Sequence, residues 1–324
     1  MIWLKFLLCA SLLTYFAYNL CKEGAVISDK TKISEGVIGM LFLAVATSFP
    51  EIVTASTAVF SLGMIGLGYG DIAGSIIVNL MILFALDLCH KEERILTRVS
   101  KLTRLTGFFV LIVVSVILTG AILRSSNTNF SIAGKIGIES LIIIGIYFAY
   151  LEKIRRSNHL DSVHIQTNNE PFRKVWAKFV FFLLMVMLLG FWMARIGEGI
   201  VANTDLSQTF TGTLILGVAT SLPEIIVSFA AFRAASIDMA VGNILGSNLF
   251  DACIIPLLDG LSPAPILALL SKGQIIATIL VLVLSAIAVL GLSVKWGQRR
   301  KFKWDTGLIF TIGFIGFVIL YFVK

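Results

Sequence analysis

Long apolar runs, separated by short polar breaks, fill nearly the whole chain. Ten are legible, at about residues 2–21, 33–61, 70–89, 104–123, 132–152, 174–202, 206–232, 239–258, 273–294 and 304–323. Each reaches the roughly 20 residues that an α-helix needs to cross a hydrocarbon core. Backbone in lipid must satisfy its own hydrogen bonds, so such runs predict helices. The pattern predicts an all-α polytopic membrane protein with ten transmembrane helices. The first run carries a single early Lys5 and has the outline of a signal peptide, but it lacks a small-x-small cleavage site before a polar segment. It is read as a retained helix.

The longest polar connection, 153–173, divides the runs into two sets of five. Residues 1–152 form the N-terminal five-helix repeat, 153–173 a cytoplasmic linker and 174–324 the C-terminal repeat. His159 and His164 fall in the linker without a cysteine or third histidine nearby, so they read as a solvated loop. The second run of each half carries the same phrase. Residues 39–56 read GMLFLAVATSFPEIVTAS and residues 212–229 read GTLILGVATSLPEIIVSF. Each copy puts Thr-Ser-x-Pro-Glu inside an apolar run: Thr47, Ser48, Pro50 and Glu51, then Thr220, Ser221, Pro223 and Glu224. Five runs separate the copies, so the second crosses the membrane in the opposite direction. That is an inverted-topology repeat, the architecture of many secondary transporters, with binding near the midplane.

The duplication continues into the next run, so the repeated regions extend over 39–89 and 212–258. GDIAGSIIVN from Gly70 to Asn79 aligns with GNILGSNLFD from Gly242 to Asp251. Ser75 and Asn79 are four residues apart, as are Ser247 and Asp251, so each pair shares a helical face.

Composition agrees with the pattern: 57% of the 324 residues are hydrophobic and 14% charged, with mean hydropathy +0.95. Charge adds an orientation. Of the 26 Lys and Arg residues, twenty lie on one set of alternate loops and six on the other. The positive-inside rule then puts both termini outside, in a plasma or inner cell membrane. Net charge +7 is thus a topology signal, and the expected surroundings are the lipid bilayer rather than nucleic acid. Cys9, Cys21, Cys89 and Cys253 have no metal-like spacing and read as packing residues.

The candidate chemistry lies in the duplicated segments. A carboxylate in hydrocarbon is costly unless something binds it. A proline cannot donate to the carbonyl four residues earlier, here that of Ala46 and of Ala219, and the kink can free those of Thr47 and Thr220 as well. Hard cations such as Ca²⁺ take six to eight oxygens. The repeats offer Glu51, Glu224, Asp251, Asn79 and the hydroxyls of Thr47, Ser48, Ser75, Thr220, Ser221 and Ser247. Two carboxylates about 5 Å apart repel by roughly 3 kcal/mol at an effective dielectric near 20. One Ca²⁺, or two or three Na⁺, would neutralise them, and competition for one charge is the basis of exchange. Alternatives remain open for some positions. Gly70, Gly74, Gly242 and Gly246 fit close helix packing, and Ser75 and Ser247 fit either ligation or helix cross-linking. Asp87, Glu139 and Asp259 lie near run ends and read as interfacial.

The duplicated TSxPE helix, each copy followed by a Gly…Gly-Ser…Asn/Asp span, resembles the repeats of the calcium/cation antiporter superfamily, specifically compact prokaryotic sodium/calcium exchangers. The resemblance covers both repeats. It implies alternating access, with the first and sixth spans sliding against an eight-helix core. It also implies cation ligands at Thr47, Ser48, Glu51, Ser75 and Asn79, and at Thr220, Ser221, Glu224, Ser247 and Asp251. The chain departs from the family pattern at Ala46 and Ala219, where glycine is usual, at Asp71 for asparagine, and at Ile76, whose counterpart is Asn248.

Exchange of Ca²⁺ for Na⁺ is therefore the expected function, with proton-coupled exchange as the nearest rival because paired carboxylates also serve protons. The hydroxyl and amide oxygens beside them favour Na⁺. A channel commonly assembles its ring across subunits, whereas this chain supplies two internal halves. An enzyme is not expected: a metalloprotease would want HExxH, and His90, His159 and His164 all fall in loops. Ca²⁺ and Na⁺ are the expected partners, with no cofactor and no obligate protein partner. Asp71 is expected at the outer mouth, since it lies roughly 12 Å along a helix from Asn79; a solvated acid at a helix N-terminus is the plainer alternative.

Overall fold

The computed structural model describes residues 1–29, 41, 43–90, 95–125, 131–132, 136–157, 171–293 and 304–323. The readings for His159, His164, the start of the second run and the loop cations Lys30, Lys32, Lys91, Arg94, Lys135, Lys295, Arg299, Arg300, Lys301, Lys303 and Lys324 lie outside the described residues.

The described chain is helical apart from one two-residue antiparallel pair, in which Ser131 faces Gly137 and Ile132 faces Ile136. Helix α1 covers Ile2–Asp29. Helix α2 is broken into α2a, Ala44–Thr47, and α2b, Phe49–Ser56, which runs on into a π-helical turn at Thr57–Ser61. Then come α3 (Ile65–Cys89), a single turn at Ile95–Arg98, α4 (Lys101–Ser125), α5 (Ile138–Ser157) and α6 (Phe172–Asn203). Helix α7 is also broken, into α7a (Gln208–Thr220) and α7b (Leu222–Arg233), with a 40° bend between them. Helices α8 (Ile237–Leu261), α9 (Lys272–Ser293) and α10 (Trp304–Phe322) complete the chain.

Among the described residues six helices are long and apolar enough to cross a membrane: α1, α3, α4, α6, α8 and α9. The broken α7 makes a seventh if its two parts form one span, and the apolar part of α10, Gly307–Phe322, is shorter. Helix α3 has no polar face to offer water. It is buried on all sides from Gly66 to Leu80, as a helix enclosed by other helices must be. Its Leu80, Leu83 and Phe84 pack with Val113 of α4, Leu249 of α8 and Leu284 of α9 in the main core. A second apolar cluster joins α1 to α6, through Leu13, Leu20, Leu189 and Met193, and lays the pair over Ala46 of α2 and Ala219 of α7.

The structure adds two details at the helix ends. The linker is helical at both ends, since α5 continues to Ser157 and α6 starts at Phe172. Glu152 extends α5 past the apolar run by pairing with Arg155 and Arg156 one turn on, each at 2.7 Å. The acids near helix ends are buried within the protein and hydrogen-bonded there. Asp87 accepts from Ile95 N at 2.8 Å. Asp259 accepts from Gly137 N, Ser140 Oγ and Ile266 N, and Glu139 pairs with Arg124. Loops that fold back onto helix ends bury donors which need acceptors, and these carboxylates supply them.

Candidate cation site

The site begins with two helix breaks of the same construction. Ser48 (φ −84°, ψ 6°) ends α2a and Ser221 (φ −80°, ψ 0°) ends α7a. Pro50 and Pro223 are each the second residue of the helix that follows, where the missing N–H costs no ladder bond. Ser48 N still reaches Ala44 O at 3.0 Å, and Ser221 N reaches Gly217 O at 3.3 Å. Glu51 and Glu224 thereby fall in the first turn of α2b and α7b. A half-helix N-terminus inside the protein favours negative charge, so the break positions each carboxylate as well as exposing backbone.

All ten sequence-predicted residues are buried at 0% exposure. Glycines bring their helices together. A Cβ on Gly74 would stand 2.0 Å from Thr213 O, and one on Gly217 would stand 2.8 Å from Gly74 Cα. The close-packing reading of Gly70 and Gly74 therefore holds, because α3 touches the backbone of α7a at both.

Through that contact the two halves interlock. Thr47 Oγ1 lies 3.1 Å from Ser247 Oγ, and Ser75 Oγ lies 3.2 Å from Thr220 Oγ1. Ser75 also donates to Glu51 Oε1 at 3.4 Å. Both threonines bond back to their own helix, Thr47 to Leu43 O and Thr220 to Leu216 O, each at 3.0 Å. Glu224 approaches the hydroxyls of Thr47, Ser247 and Ser48 without closing a hydrogen bond, and Asp251 approaches Ser48 in the same way. Glu51 lies within electrostatic range of Glu224, Asp251 and Asp71.

Many of these oxygens are unsatisfied. Among the described residues, both oxygens of Glu224, both of Asp251, Glu51 Oε2, Ser48 Oγ, Ser221 Oγ and the whole amide of Asn79 are buried without a hydrogen-bond partner. Buried polar groups are nearly always paired, so a cluster of orphaned oxygens suits a cation. Among the described residues no three His, Cys, Asp or Glu side chains gather into a single metal centre. The acids are instead interleaved with hydroxyls, an arrangement that can spread more than one ion over the same oxygens.

Asp71 is not at an outer mouth. It is buried at 0% exposure, and Thr220 Oγ1 donates to its Oδ1 at 3.0 Å. Helix α3 starts at Ile65 rather than near residue 70, and its glycines draw in α7a, so Asp71 lies against Thr220 instead of facing solvent. Asn243, its counterpart, donates from Nδ2 to Ser228 Oγ at 3.0 Å. Asp71 was marked in the sequence by its four-residue spacing to Ser75; the depth assignment hid its place in the cluster.

A model of the sodium/calcium exchanger protein family matches residues 1–152 and 174–323. The chain belongs to this family. It is thereby a multi-pass membrane protein of the calcium/cation antiporters, among relatives that include compact prokaryotic exchangers. The sodium/calcium exchanger MaX1 of Methanosarcina acetivorans is 22% identical over 93% of this chain and 93% of its own. Among solved structures, the sodium-calcium exchanger NCX_Mj matches with a TM-score of 0.64 at 23% identity, over 98% of this chain and 99% of that one. The H⁺/Ca²⁺ exchanger CAX matches with a TM-score of 0.70 at 13% identity, over 99% and 85%. At these identities the structural likenesses speak for the fold of this exchanger-family chain.

Proposed function

We propose that the protein exchanges Ca²⁺ for Na⁺ across a cell membrane, by alternating access around the carboxylates of Glu51 and Glu224. The observation that carries this reading is the pair of proline-broken helices, which bury two acids among unpartnered oxygens drawn from both halves. The ligands are Thr47, Ser48, Glu51, Ser75 and Asn79 together with Thr220, Ser221, Glu224, Ser247 and Asp251. A divalent ion neutralises the glutamate pair, and Na⁺ ions distributed over the neighbouring hydroxyls do the same, so neither cargo needs the other to be present. Family membership and the exchanger MaX1 support this reading.

The architecture that goes with it is ten spans in two inverted five-helix repeats, with both termini outside and the site near the midplane. The α1/α6 pair, which has its own apolar cluster over the broken helices, is the part that slides to open the site to either side. The ions are cargo, and the cycle needs no cofactor. A second reading, coupling to H⁺, has its own support in the fold likeness to an H⁺/Ca²⁺ exchanger and in the number of buried acids.

Ca²⁺ uptake into proteoliposomes under an outward Na⁺ gradient, and separately under an outward H⁺ gradient, tests the reading. The Na⁺ gradient is expected to drive uptake that saturates with Ca²⁺. Uptake driven by the H⁺ gradient and indifferent to Na⁺ would replace Na⁺ with protons in the cycle. Flux that needs no counter-ion would remove the exchanger reading altogether.

A further inference from the structure

The third spans of the two halves carry the same two residue types in reversed order. Helix α3 has an acid early and an amide late, Asp71 and Asn79, whereas α8 has Asn243 and then Asp251. The early amide of α8 meets a structural need, because Asn243 bonds Ser228 on the adjoining α7b. The acid at the same place in α3 brings a negative charge that a neutral amide can replace as far as packing goes.

Among the described residues that charge has no basic partner. Asp71 Oδ1 accepts from Thr220, Oδ2 has no partner, and its electrostatic neighbour Glu224 is itself acidic. A buried charge left uncompensated costs several kcal/mol. The carboxylate is continuous with the exchange site through three close oxygen–oxygen contacts, which the two hydroxyl hydrogens can close two at a time. Asp71 Oδ1 lies 3.0 Å from Thr220 Oγ1, which lies 3.2 Å from Ser75 Oγ, which lies 3.4 Å from Glu51 Oε1. Both ends of this chain of oxygens carry an orphan, Asp71 Oδ2 and Glu51 Oε2.

We propose that Asp71, with the hydroxyls of Thr220 and Ser75, forms an additional subsite for one hard monovalent cation. The inference rests on the exchange reading above and names a further ion in it. Carboxylate and hydroxyl oxygens are hard ligands. One monovalent ion neutralises the one carboxylate that Asp71 adds, while the divalent ion is already matched by the Glu51 and Glu224 pair. Sodium and potassium ions share the required chemistry, and the experiment separates them.

The test counts ions bound to the purified full-length protein by equilibrium binding of radiolabelled Na⁺, of a K⁺ tracer and of Ca²⁺, for the natural chain and for Asp71→Asn. The substitution is expected to remove about one monovalent ion per protein, since one carboxylate charge is lost, while Ca²⁺ still binds. Loss on the Na⁺ arm names Na⁺ as the occupant, and loss on the K⁺ arm names K⁺. Asp71→Ser reads the same count should the Asn variant fail to fold. Unchanged counts on both arms overturn the subsite. Loss of Ca²⁺ binding from a folded variant also overturns it, because Asp71 would then be a ligand of the divalent ion itself. A natural chain that binds these ions yet shows no counter-ion-driven Ca²⁺ flux would sink the exchange reading and leave the subsite standing.

Discussion

In the N-terminal half the acid after the helix break is partly met. Ser75 of α3 donates to Glu51 Oε1, and the same hydroxyl continues to Thr220 of the other half. In the C-terminal half Glu224 keeps both oxygens free of hydrogen bonds, and Ser247 turns instead to Thr47 and to Ala44 O. The copied motif is thus wired differently in its two settings. Its hydroxyls cross over, so that each half completes the oxygen set of the other. Glu224, like Asp251, is left with both oxygens unused, and Glu51 is the acid tied into a chain that ends at Asp71. On the exchange reading, two half-sites linked in this way are expected to function as one.

The harshest way to break the comparison is to remove one charge at a time. Glu51→Gln and Glu224→Gln are each expected to lower Ca²⁺ flux on the order of 100-fold or more, because losing one member of a compensated buried charge set costs about 3 kcal/mol or more. Initial rates in proteoliposomes check this, and near-natural flux in either variant would remove that acid from the site.

The next largest effect concerns the contact through which the halves meet. Gly74→Ala puts a methyl group where Thr213 O stands, 2.0 Å from the ideal Cβ. Backbone cannot yield as a flexible side chain can, so α3 and α7a must separate, at a cost of about 1–3 kcal/mol or more. Thermal unfolding in detergent is expected to drop by several degrees, and flux to fall with it. A natural melting temperature would mean that the helices are less closely apposed than described.

Smaller changes sharpen the asymmetry. Ser75→Ala removes the hydroxyl that joins Glu51 to Thr220, and Ser247→Ala removes one that joins Thr47 to the Ala44 carbonyl. Each loss is about 1 kcal/mol, or roughly fivefold. The account expects both to weaken Na⁺ dependence more than Ca²⁺ affinity, as read from half-saturation for each ion. Equal shifts for the two ions would mean that the hydroxyls serve both cargoes alike.

The smallest expected effect lies outside the site. The turn after α2 is made by Gly63 at φ 65°, whereas the turn after α7 puts Ala235 at φ 62°. A left-handed conformation costs a residue with Cβ about 1–2 kcal/mol, so Ala235→Gly is expected to stabilise by up to about 1 kcal/mol after its own entropic cost. The reverse change, Gly63→Ala, is expected to destabilise. A melting curve for each variant reads both signs, and a loss of stability in Ala235→Gly would show that the turn is held by contacts rather than strained.

Most of the helical fold was legible because apolar length is a strong signal in a membrane protein. Helix ends were less legible. The run ending near residue 152 gave no hint that Glu152 and its two arginines carry α5 to Ser157. The ten ligand candidates were readable from duplication, and all ten are buried. Their cross-pairing was not, because Thr47 with Ser247 and Ser75 with Thr220 join residues 200 and 145 positions apart. Asp71 shows the limit most clearly. Distance along a helix says nothing about which neighbour covers it, and glycine packing against α7a buried a residue that position alone would leave facing water.

The central claim, that both halves build one Ca²⁺ site, is tested most directly by titrating Ca²⁺ into the purified protein by calorimetry, with Glu51→Gln and Glu224→Gln alongside. The account predicts a saturable Ca²⁺ signal in the natural chain that disappears entirely in each single variant. A variant that keeps half of the bound Ca²⁺ at natural affinity would contradict it, since the two motifs would then bind Ca²⁺ separately.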